Sequence, residues 1–220
     1  MSAMDLDDAV VRLCAEGMQA EAAGRNEDAH ALFRQAWDAA TDDYGACVAA
    51  HYLARQQTAP EDVLRWNQEC LERADRVGDE RVRSFYPSLH LNLARAHEQL
   101  GDGDRAQEHY RQAAGRLPDA PAGPYRDGMR FTIAAALRTN DGVSTALTEL
   151  LGKLCERKDF RALGVLLPPY LGDLGTAEDR TALLTAVQMV RLGQSLPDEE
   201  AALLARATGE LTQAGRPAPA

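Results

Sequence analysis

The chain has 220 residues with a formal net charge of -10, 45% apolar and only 5% aromatic residues. That length holds one sizeable domain or two small ones, and the acidic balance disfavours binding to nucleic-acid backbones. No apolar run is long enough to span a membrane, and the opening MSAMDLDDAVVRL has neither the basic start nor the apolar core of a secretion signal, so a soluble cytoplasmic protein is expected. With few aromatics, the core rests on Leu, Ala and Val. The first two are strong helix formers, and no stretch alternates as a strand would. The 22 Arg against two Lys, Lys153 and Lys158, fit the codon usage of a GC-rich bacterial genome.

In chain order, the first amphipathic hairpin is EGMQAEAAGRNEDAHALFRQAWDAA. Gly17 sits on its first helix and Gly24 at its turn. Ala29, Phe33 and Ala36 lie on one face of its second helix. An irregular second hairpin lies between Asp42 and Gly78, with ACVAAHYLARQQ as one helix and Pro60-Glu61-Asp62 opening the next. Pro with acids behind it is a good helix start. The segment SFYPSLH, residues 84 to 90, is expected to pack the following linker.

The third hairpin, LNLARAHEQLGDGDRAQEHYRQAAGRLPD, repeats the spacing of the first. Ala94 takes the place of Gly17 and Gly101 that of Gly24. Ala106, Tyr110 and Ala113 match Ala29, Phe33 and Ala36. A fourth copy is read at 127 to 156, with Ala134, Leu137 and Asp141 followed by Ala146, Leu150 and Lys153. Beyond it come a helix over 159 to 171, bent or ended by Pro168-Pro169, and one over 177 to 192 behind a Thr176/Asp179 capping pair. A last helix runs over 197 to 213.

The recurrent order small, Gly, small, aromatic, small resembles the tetratricopeptide repeat, a helical hairpin of 34 residues. The likeness covers roughly residues 8 to 156 and extends to bacterial, actinobacterial, proteins of this type. It implies an all-α fold, a right-handed superhelical α-α solenoid of about four hairpins over 1–158. Capping helices would follow over 159–213, and a disordered tail over 214–220.

The resemblance also implies a protein- or peptide-binding scaffold that uses the groove lined by the first helices. Asn92 stands where peptide-binding members place an Asn that clamps the ligand backbone. Arg95 and Gln99 lie on the same helix face, and Arg95 suits a carboxylate. The counterparts of Asn92 are Thr132 in the fourth copy and Cys47 or Ala49 in the second, depending on register. Tyr52, Arg55 and Arg138 are further candidate contacts, with Met18 and Glu21 beside them. The expected partner is a protein or peptide, with homodimerisation a further option and no cofactor. A ligand-responsive regulator and an enzyme on a helical scaffold are the alternatives.

The chemistry-bearing residues give little else. The four cysteines, Cys14, Cys47, Cys70 and Cys155, lack metal-ligand spacing and read as reduced thiols. His90 and His97 are seven residues apart, about 10 Å along a helix, too far to chelate together. His97 falls where the repeat packs an aromatic, which makes it a packing residue. Leu167-Pro168-Pro169-Tyr170 resembles the PPY core of adenine amino-methyltransferases, but opens with Leu in place of Asn or Asp.

Overall fold

The computed structural model describes residues 3–138, 144–193 and 195–213, with side chains from residue 9 onward. Among the described residues the chain is all-helical, with no strand. It forms two compact units, residues 1–129 and 130–220.

The first unit contains α1 (Ala3–Ala22), α2 (Asn26–Ala39), α3 (Asp43–Arg55), α4 (Pro60–Val77), the short α5 (Glu80–Arg83), α6 (Tyr86–Gln99) and α7 (Gly103–Arg116), and a 3-10 turn at Leu117–Asp119. Helices α1 and α2, α3 and α4, and α6 and α7 pair as hairpins, and α2 packs on α3 and α4 on α6. Local chemistry sets the ends. Asp42 Oδ1 accepts from the Gly45 amide at 2.7 Å, Pro60 starts α4, and Gly78 ends it at φ 64°. These are an N-cap, a first-turn proline and a left-handed C-cap.

The turns of the first and third hairpins are built alike. Gly24 and Gly101 have φ of 74° and 80°. Beyond them, the Arg25 amide donates to Ala20 O and the Asp102 amide to His97 O, each at 2.9 Å. This is one Schellman closure used twice. The helix crossings match as well. Ala29, Phe33 and Ala36 are buried in α2, and Ala106, Tyr110 and Ala113 in α7. Gly17 lies so close to Phe33 that a Cβ built on it would come 2.4 Å from Cε1 of the ring.

The second hairpin has no such turn and is held by its own contacts. Cys47 and Cys70 face each other across α3 and α4 with Sγ atoms 3.6 Å apart, and Trp66 meets Trp37 of α2 edge-on at 5.1 Å. The linker packs as the sequence suggested. Val82 is buried, Phe85 stacks on His51 at 5.4 Å, and the Tyr86 hydroxyl donates to Asp75 at 2.8 Å.

Helix α8 (Pro124–Leu137) carries the chain from one unit into the next. The second unit continues with α9 (Thr145–Glu156), α10 (Phe160–Leu171), α11 (Ala177–Gly193) and α12 (Asp198–Gln213). Each packs on the next, and α12 returns to α9, closing a four-helix arrangement. This differs from a fourth hairpin of 127–156 followed by capping helices. The apolar face of α9 is wide, with Ala146, Leu147, Leu150, Leu151 and Leu154 all buried, so it packs against α10 and α12 at once. Glu210 of α12 ties the start of α9 by accepting from Ser144 Oγ at 2.7 Å and the Ala146 amide at 3.2 Å. The three last helices thus share a core with α9, and the boundary between units falls at Met129–Arg130 instead of after Lys158. The expected turn residue Asp141 and the tail 214–220 lie outside the described residues.

Pro168 and Pro169 do not end α10. They sit in its final turn, and the helix runs to Leu171. Two arginines complete that terminus: Arg138 donates to Tyr170 O at 2.6 Å and Arg130 Nε to Gly172 O at 2.8 Å. Cationic donors on the last carbonyls suit the negative end of the helix dipole. The Thr176/Asp179 box forms as read, with the Asp179 amide donating to Thr176 Oγ1 at 3.1 Å and the Thr176 amide to Asp179 Oδ2 at 3.2 Å. Arg130 also pairs with the buried Asp179.

Two substitutions test this account in urea unfolding. Gly17→Ala forces the Phe33 ring aside, and a loss of about 1–3 kcal/mol is expected, the usual cost of overpacking a core. Lys158 occupies the turn between α9 and α10 at φ 59°, where the Asp159 amide closes on Leu154 O at 2.9 Å. Lys158→Gly is expected to gain about 0.5–1 kcal/mol, because glycine takes this conformation without a Cβ clash.

Candidate functional site

Helix α6 presents the residues that the sequence singled out. Leu91, Leu93, Ala94, Ala96 and His97 are buried, while Arg95, Gln99 and Glu98 are exposed and Asn92 is half-buried between the two sets. Asn92 Nδ2 approaches Asn67 Oδ1 of α4 at 3.5 Å, at the outer limit of a hydrogen bond, and Asn67 is itself buried and donates to Val63 O at 2.8 Å. Among the described residues Asn92 makes no other side-chain hydrogen bond, so its carbonyl oxygen and one amide hydrogen are uncommitted there. Arg95 makes no ion pair among the described residues.

The other candidates are held by their own chain. Tyr52 stacks on Phe33 with ring centroids 5.0 Å apart, and the Arg55 guanidinium lies over Tyr52 at 5.6 Å. Arg55 also pairs with Glu21 at 2.8 Å, and Gln56 donates to the same carboxylate at 3.0 Å. This set clamps α3 to α1. Met18 is 39% exposed. Thr132 and Arg138 belong to the second unit. Thr132 is half-buried, and Arg138 is spent on the end of α10, where it also lies over the Tyr170 ring at 4.7 Å. The structure therefore groups Asn92, Arg95 and Gln99 on one helix face, and gives Tyr52, Arg55 and Arg138 internal roles.

A histidine seam between α6 and α7 has no motif in the sequence to mark it. His109 of α7 sits between His90 and His97 of α6, with ring centroids 5.4 Å from each. The Nδ1 atoms of His90 and His109 are 3.2 Å apart. Their centroid separation exceeds this by no more than the two ring radii, so the rings meet edge to edge and one Nδ1–H donates to the other Nδ1. Tyr86 extends the column beyond His90, with Arg116 over its ring at 4.5 Å. At the other end, His97 Nδ1 lies 3.7 Å from Asp102 Oδ2. Burial holds His90 down at about 4, assisted by the charge of His109, and burial followed by the charge of His97 also lowers His109. A neutral imidazole is what this bond needs as its acceptor, and a second proton on the pair is disfavoured. His97 is 3% exposed, so the seam is packed interior there, in keeping with the packing role expected of it.

His51 forms a separate case. Its buried Nδ1 has no hydrogen-bond partner, its ring lies against Tyr52 and Phe85, and burial followed by the charge of Arg55 lowers it to about 4. Among the described residues, no group of three or more His, Cys, Asp or Glu is placed to hold a metal ion. No described helix is long and apolar enough to cross a membrane. All four cysteines are free; Cys14, Cys47 and Cys70 are buried and Cys155 is exposed.

No protein-family model, curated protein or solved structure matches this chain.

The seam makes a pH-dependent prediction. A base whose pKa is lower folded than unfolded takes up a proton more readily when unfolded. Its contribution is therefore complete above the ordinary histidine value of 6.5 and is lost as pH falls toward about 4, the folded value of His51 and His90. Thermal unfolding from pH 7.5 to 4.5 is expected to show a falling midpoint, with a shallower fall in the His90→Gln, His109→Gln double variant. An equal slope in that variant counts against the seam as the source.

Proposed function

We propose that this chain is an adaptor of tetratricopeptide type, which holds a protein or peptide segment in the concave groove lined by its first-position helices. In this reading the hairpins form part of a right-handed superhelical solenoid in a bacterial cytoplasm. The observation that carries it is the recurrence, in α1–α2 and α6–α7, of one turn closure and of one buried small-ring-small set on the second helix. That recurrence supports a repeat, and repeats of this kind expose one face of each first helix in a row.

The contacting residues are Asn92, Arg95 and Gln99. Asn92 offers an acceptor and a donor to a peptide unit, which fixes the ligand backbone without regard to its side chains. Arg95 offers a bidentate grip on a carboxylate. Tyr52 and Arg55 shape the neighbouring surface by locking α3 to α1. The net charge of -10 favours partner segments with basic flanks. Affinity then depends on these few residues more than on contact area.

The test is capture of partners from a lysate of the source organism by the wild-type chain and by the Asn92→Ala, Arg95→Glu double variant, with mass-spectrometric readout. Both substitutions fall outside the buried set of α6, so an unchanged helical circular-dichroism spectrum is expected. A protein held by wild type and lost by the folded variant supports the face of α6 as the binding surface. Identical captured sets remove that support.

A further inference from the structure

In the second unit, α10 and α11 leave an open groove of about 730 Å³, lined by Gly164, Val165, Pro169, Ala182, Thr185 and Met189. Small residues make its floor. At one end stand large apolar side chains in water: Phe160 is 75% exposed, Met189 58% and Leu192 80%. Helical spacing sets Phe160 on the face of Gly164, four residues on, and Leu192 on the face of Met189, three residues on. A cluster of this kind on one face marks an association site.

Charge gives the face a direction. Arg161 precedes Val165 by one turn and Pro169 by two, so it lies on the groove side at the end that holds Phe160. Glu178 lines the opposite end. Both are exposed, and among the described residues neither forms an ion pair. A bulky apolar group with a cation thus stands at one end, and a shallow hollow with an anion at the other.

We propose that this face docks a second copy of the chain across a two-fold axis. Turning one copy over the other brings Arg161 of each to Glu178 of its partner. It also carries each Phe160 to the partner's groove beside Pro169 and Ala182. Both halves of the fit lie on one face, which is what an isologous interface requires, whereas a foreign helix would use only one half. The contact pairs α10 and α11 of each copy and removes the exposed Phe160 and Leu192 from water.

Sedimentation equilibrium of the full chain over a range of concentrations tests this. The wild type is expected to be a dimer that dissociates on dilution. Arg161→Glu and Glu178→Arg each set like charges together at two symmetric points, and each is expected to raise the dissociation constant about tenfold. The double variant Arg161→Glu, Glu178→Arg exchanges the charges and is expected to recover the wild-type constant. Phe160→Ala, at an exposed position, is expected to weaken the dimer with an unchanged helical spectrum. A monomeric wild type, single reversals without effect, or a double variant no tighter than the singles each overturns the proposal.

Discussion

How closely two helices can approach governs the first unit. Gly17 lets α1 settle onto the Phe33 ring with no Cβ between them. Phe33 in turn stacks on Tyr52, which sits under Arg55, which reaches Glu21 back on α1. One short contact therefore sets the position of three helices. In a chain with so few aromatic rings, the buried rings of this unit serve several neighbours at once. Tyr110 shows the same economy: it fills the α6–α7 crossing and donates its hydroxyl to Glu98 at 3.0 Å.

Arginine does much of the remaining fastening. Arg130 and Arg138 finish α10, Arg157 reaches Glu200 and Asp159, and Arg73 and Arg76 both donate to Asp43. The guanidinium has five donors in a rigid fork, so it can close a carbonyl and a carboxylate together. Other arginines are not spent in this way: Arg95 and Arg161 are among the exposed ones that form no ion pair among the described residues.

Much of the fold was legible in the sequence because it depends on local rules. Turn glycines, the Thr176/Asp179 box and the buried faces of α2 and α7 all follow from spacing within a dozen residues. The fourth hairpin was not legible. Ala134, Leu137, Ala146 and Leu150 keep the repeat spacing, yet Leu147, Leu151 and Leu154 widen the apolar face of α9, and a wide face accepts partners far along the chain. The histidine seam needed the pairing of α6 with α7, which sets His109 between two residues seven apart. The single signal was that two of the five histidines fall in one predicted hairpin and a third, His90, directly precedes it. For the candidate site, the sequence marked residue types well but not their commitments. Tyr52, Arg55 and Arg138 have the chemistry of contact residues, and only their partners in space show where that chemistry is used.

The distribution of thiols has a practical consequence. The first unit encloses Cys14, Cys47 and Cys70; burial raises the Cys14 thiol to about 12, and the hydrogen bond with Cys47, followed by burial, pushes Cys70 up. The second unit shows Cys155 to solvent. A thiolate is the reactive form, so an alkylating reagent modifies Cys155 at once and the other three only when their helices part. The chain thus carries an internal clock: the delay between the first modification and the next three times the opening of one unit in native buffer, with no label added.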